Sequence, residues 1–184
     1  MIGTLAAPTL VLDPNGNGAT RWEDCVPGRD ELPRTLDEIP VLGITPYEDI
    51  AEVSADTPGW RFQRTPRPGQ GRITGRPTIG LLVVLISPLH GDGGQALRDW
   101  ADFIHLCHIA AAGVPGYTMV TPYENHGDGP RYLHFYEMDA DDPEATYKTM
   151  TPLVKARLER DEFKTWTGHP ELVINYVSTY RLLP

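Results

Sequence analysis

Hydrophobic and polar positions follow two different periods in the later part of this chain. Residues 79–86, Ile-Gly-Leu-Leu-Val-Val-Leu-Ile, are apolar on both parities, which predicts a central strand covered on both faces. Leu97, Ala101, Ile104, His108 and Ala111 then recur at spacings of three and four, predicting a helix over 95–112. Gly113 and Pro115 end it. Residues 117–123 return to strand character, and a turn over 125–130 leads into a strand over 132–138. There Tyr132, His134 and Tyr136 share one face, with Leu133 and Phe135 on the other. Pro143, just after Asp141 and Asp142, opens a helix expected to run to about 162, and residues 172–183 supply a last strand. The order β-α-β-β-α-β is that of a ferredoxin-like domain, so the expected fold class is α+β.

The first 78 residues carry Pro and Gly more densely than the rest. They also echo the later part of the chain. Trp22 followed by Thr45-Pro-Tyr-Glu48 parallels Trp100 followed by Thr121-Pro-Tyr-Glu124, and Pro58-Gly-Trp-Arg-Phe62 parallels Gly129-Pro-Arg-Tyr132. Matches in the same order are the mark of a duplication. Residues 1–77 are therefore expected to form a degenerate ferredoxin-like repeat, and 78–184 the domain that carries the site. The copies are unequal: Pro27 stands after Trp22 where His105 stands after Trp100, and Pro27 and Pro33 break any long helix there.

Composition narrows the function classes. A formal charge of −9 over 184 residues argues against nucleic acid and against anionic membranes. The longest apolar run is too short to span a bilayer, and the N-terminus lacks a secretory pattern. Two cysteines, Cys25 and Cys107, do not make a disulfide scaffold and fit a reducing cytoplasm. Neither a phosphate loop, nor a dinucleotide fingerprint, nor a nucleophile elbow is present.

Histidines and tyrosines carry what chemistry there is. On a helical wheel His105 lies about 80° from Leu97, at the edge of the apolar stripe, where an imidazole can face a pocket as general acid or base. Asp102, one turn earlier, is placed to orient it, and Trp100 to wall the pocket. His108 lies nearer the centre of the stripe. His105 and His108 have the spacing of a shared metal pair, yet no further ligand cluster accompanies them, and no metal is expected. Tyr132, His134 and Tyr136, beside Tyr117, Met119, Thr121 and Tyr123, make an aromatic, hydrogen-bonding floor suited to a flat phenolic or polyketide-like ligand. The same aromatics would also suit a dimer interface.

Three segments together, Trp100-Ala-Asp-Phe-Ile-His105, Gly113-Val-Pro-Gly-Tyr117 and Pro130-Arg-Tyr-Leu-His-Phe-Tyr-Glu137, resemble the EthD-like branch of the dimeric α/β-barrel superfamily. Cys107 stands where the family often has proline. The resemblance implies a pocket between sheet and helices, with the other face of the sheet closing a barrel against a second sheet, from a homodimer mate or from the first repeat. It implies a cofactor-independent enzyme acting on a small aromatic or polyketide-like compound, of cyclase, dehydratase, isomerase or lyase type, with His105 as acid/base. A cofactor-free monooxygenase and a non-enzymatic binding protein are the alternatives.

Overall fold

Among the described residues every barrel strand pairs along both edges within the chain. The computed structural model describes residues 3–65 and 74–184. The first segment contributes β1 (Thr9–Asp13), β2 (Thr20–Asp24), β3 (Val41–Tyr47) and β4 (Trp60–Arg64). The second contributes β5 (Gly80–Pro88), β6 (Tyr117–Asn125), β7 (Tyr132–Met138) and β8 (Leu172–Leu182). All pair antiparallel, in the closed order β1-β3-β2-β8-β5-β7-β6-β4. Each segment arranges its own strands as fourth, first, third, second, and the two are joined by β2 on β8 and β4 on β6.

This corrects the expected fold class. The chain is not a ferredoxin-like α+β domain; it is a single closed eight-stranded antiparallel barrel with helices against one side, and the second sheet, expected from a dimer mate or from the first repeat, comes from the first segment. The physical reason lies in the first segment. Its prolines and glycines remove helices but leave four short strands, and their free edges satisfy both open edges of the second-segment sheet. No second chain is needed to close the barrel.

Side chains fill the interior. Leu10, Leu12, Trp22, Ile44 and Phe62 from the first segment meet Leu81, Val83, Leu85, Leu133, Phe135 and Tyr180 from the second in one buried cluster, so the barrel encloses a packed core. At one end Glu137, fully buried, accepts hydrogen bonds from the hydroxyls of Thr4 (2.7 Å) and Thr78 (2.6 Å) and from the backbone N–H groups of Leu5 (2.7 Å) and Ala6 (2.9 Å). That carboxylate pins the N-terminal segment to β7.

The helices lie outside, against the opposite faces of β5 and β8. A continuous helical stretch runs α1 (Gly94–Trp100), a π turn (Ala101–His105) and α2 (Leu106–Ala112); Gly113 ends it at φ 62°, a left-handed conformation glycine adopts freely. α3 (Pro143–Lys155) and α4 (Arg160–Thr167) follow; the helix expected over 143–162 breaks into these two. Pro143 packs over Gly80, where a Cβ would stand 2.6 Å from the ring, so only glycine lets helix and strand approach this closely. Among the described residues no helix is long and apolar enough to cross a membrane.

Candidate functional site

Between the helices and the outward faces of β5, β7 and β8 lies a cavity of ≈ 210 Å³. Leu82, Val84 and Ile86 of β5 form its floor with His134 and Tyr136 of β7. Trp100 and His105 line it from the first helical stretch, Tyr147 and Met150 from α3, and Trp166 from α4. A bulge shapes the remaining wall. The register of β8 slips opposite Leu85 and Ile86, so that Ile174 and Val177 both line the cavity and Asn175 is displaced. The displaced Asn175 carbonyl accepts hydrogen bonds from the backbone N–H groups of Thr35 (3.0 Å) and Leu36 (3.2 Å). The β2–β3 connection is thereby strapped across the cavity, and Leu32 joins the wall. Arg29 anchors the strap further, paired with Glu144 of α3 and at 2.6 Å with Glu31, its side chain only 5% exposed.

His105 reaches the cavity because the helix is locally under-wound. The Leu106 N–H bonds the Ala101 carbonyl, five residues back. Residues of a π turn advance by about 80° instead of about 100°, which sets the helix back by roughly a quarter turn. That carries His105 from the edge of the apolar stripe to its centre, and His108 away from it. His108 does not line the cavity.

The His105 ring is held on several sides. Its Nδ1 lies 3.0 Å from the Trp166 carbonyl, which can only accept, so Nδ1 carries the proton and Nε2 the lone pair. The Trp166 ring stacks on it at 5.0 Å and 8°, and the Trp100 ring lies 5.0 Å away at 36°. His134 stacks beyond at 6.4 Å. Burial drives the His105 pKa down to about 4 against the opposing pull of the Trp166 carbonyl, and burial drives His134 down to about 3. Both imidazoles are neutral at physiological pH. Among the described residues no Asp, Glu, Lys or Arg lines the cavity.

Of the residues expected at the site, Trp100, His105, His134 and Tyr136 meet around the cavity. Asp102 is buried but turned toward Arg98, 3.9 Å away, and the Trp166 carbonyl takes the orienting role expected of it. Tyr117 stands behind the wall, its ring 5.5 Å from Tyr136 and its hydroxyl donating to Met150 Sδ at 3.7 Å. Tyr132 packs with Ile86, Leu97 and Trp100 and donates to the Gly94 carbonyl. Tyr123 points into the barrel and donates to the Ala7 carbonyl. A register slip between Tyr117 and Met119 reverses the parity of β6, so the expected face of Tyr117, Met119, Thr121 and Tyr123 is divided between the two sides of the sheet.

Leu32, Tyr147, Met150 and Trp166 are among the wall residues that lie outside the expected set. Phe163 and Trp166, three apart, and Tyr147, Met150 and Val154, at helical spacing, were legible as apolar stripes. Leu32 sits in irregular chain and gave no signal. Among the described residues no group of three or more His, Cys, Asp or Glu could hold a metal ion. No family model matches the chain, and neither does any curated protein or solved structure.

Proposed function

We propose that this protein is an enzyme that moves a proton on a small uncharged organic molecule held in the cavity, with His105 as the acid/base. One observation carries this reading: the Trp166 carbonyl fixes Nδ1–H, leaving Nε2 as a lone-pair acceptor on a side chain that lines the pocket. The low pKa defines the chemistry. A buried imidazolium with no carboxylate beside it is costly, so the counter-charge has to be the substrate's own. An O–H or activated C–H of the substrate gives its proton to Nε2, and the resulting oxyanion or enolate stays against the imidazolium as a neutral pair. Returning the proton to a different atom completes an isomerisation, or assists loss of a leaving group. The Tyr136 hydroxyl and the ring of His134 line the same space and are the groups available to hydrogen-bond the developing anion. Both cysteines are free thiols, which supports a cytoplasmic, reducing location.

The test is turnover of a panel of single-ring phenols and enolisable ketones, followed by proton NMR with an oxygen electrode in parallel. Conversion should fall by about 10²- to 10⁴-fold in His105→Phe. Undiminished conversion in that variant ends the proposal, and oxygen consumption would move the chemistry to a monooxygenase. A second reading, a non-enzymatic binding protein, is favoured by the missing carboxylate beside His105, which leaves the imidazole a weak base. Tight binding without conversion across the panel would decide for it.

A further inference from the structure

We infer that the cavity selects uncharged single-ring hydroxyaromatic molecules, held by a hydrogen bond from the ligand hydroxyl to Nε2 of His105. This rests on the reading of the cavity as the site and names what enters it.

Volume sets the first limit. An apolar cavity of about 150 Å³ takes one benzene ring, so ≈ 210 Å³ matches a ring with a small substituent. The wall sets the second. Trp100, Trp166, Val84 and Ile174 all border the space, so its wall is apolar and partly aromatic and suits an aromatic ring.

Charge sets the third limit. The groups that face His105 are the Trp166 carbonyl from α4, His134 from β7 and His108 on its own helix. None of the three is a carboxylate, lysine or arginine. Arg29, the cation on the strap, is taken by Glu31 and Glu144. A carboxylate ligand would therefore lose its hydration with no cation to offset it. Hydrogen-bond polarity sets the last limit. Nε2 of His105 accepts and does not donate, so a ligand that brings a donor finds its partner there.

The experiment is isothermal titration calorimetry of the full chain at pH 7.5 with phenol, anisole and benzoate. Anisole keeps the ring and loses the donor; benzoate adds a charge. Phenol is expected to bind, anisole about tenfold more weakly, and benzoate more than about a hundredfold more weakly. Equal binding of phenol and anisole, or tightest binding of benzoate, overturns the ligand class while leaving the cavity a binding site. Binding of none of the three overturns the site itself. Selectivity for phenol without conversion of any phenol leaves this inference intact and removes the enzyme reading. In His105→Phe the preference for phenol over anisole should disappear, and its persistence would place the acceptor elsewhere. Should that variant not fold, the three affinities of the natural protein still decide.

Discussion

His105 and Trp166 clasp each other through two reciprocal hydrogen bonds: the His105 ring donates to the Trp166 carbonyl at 3.0 Å, and the Trp166 indole donates to the His105 carbonyl at 3.0 Å. Trp100 adds a third tie to the same helix, its indole donating to the Thr165 carbonyl at 2.8 Å. The π turn and α4 are thus fastened where the imidazole enters the cavity. The π turn interrupts the regular helical ladder, and the Trp166 indole bonds a carbonyl at its end.

Trp166→Phe keeps a stacked ring and removes the indole donor. The hydrogen bond to the His105 carbonyl is then lost, at a cost of about 0.5–1.5 kcal/mol. Urea unfolding should show that loss, and the ring proton resonances of His105 should broaden as its orientation loosens. Unchanged stability would mean that the clasp contributes nothing.

Acid should destabilise the protein earlier than carboxylate titration alone would. His105 and His134 have folded pKa values lowered to about 4 and about 3 from an ordinary 6.5. The unfolded chain therefore binds these two protons first, so the stability they confer is complete above pH 6.5 and is lost as pH falls from 6.5 toward 4. Each histidine gives a slope on the order of 1 kcal/mol per pH unit in that window. Urea midpoints between pH 7.5 and 5 should fall accordingly, and His134→Leu should remove about half of the slope. A flat profile would show that the imidazoles are hydrated in the folded state.

Glu137→Gln tests the plug at the end of the barrel. Four donors converge on this carboxylate from Thr4, Leu5, Ala6 and Thr78. An amide nitrogen on either side confronts one backbone N–H with a donor, while the threonine hydroxyl there can turn to accept, so at least one bond is lost, for about 1–3 kcal/mol. Backbone amides of residues 5 and 6 should lose hydrogen-exchange protection in the variant, and retained protection would place the anchor elsewhere.

Arg29→Met should act on access to the cavity. It removes the charge that ties the strap to Glu144 while keeping much of the buried stem. Glu144 retains the Thr179 hydroxyl at 2.7 Å and Lys148 at 3.3 Å, so the chain should still fold. With Leu32 less firmly held, a cavity ligand such as phenol should exchange several-fold faster by NMR line shape. Unaltered exchange would mean that the ligand enters by another route.

Much of the second segment was legible before any contact was known. The runs expected as strands at 79–86, 117–123, 132–138 and 172–183 lie within or beside β5, β6, β7 and β8. Period-two and apolar patterns survive because each strand buries at least one face. Two small departures from regular geometry were not legible, and both matter at the site. The slip in β6 turned Tyr123 into the barrel, and the π turn brought His105 to the cavity in place of His108. Each follows from one residue whose hydrogen bond goes to an irregular partner, which leaves no mark on spacing.

What the sequence determined by itself is local: where strands and helices fall, that Gly113 ends a helix, and that a histidine follows Trp100 on an amphipathic stretch. Tertiary structure decided the rest. It closed the barrel within one chain, because the first segment's edges lie close to β8 and β6 at high effective concentration. It also set Leu32, Trp100, His105, His134, Met150 and Trp166, spread over more than a hundred residues of chain, around one cavity. A site assembled from elements this far apart in the chain is defined by long-range packing, and a single chain read in order shows its pieces without their arrangement.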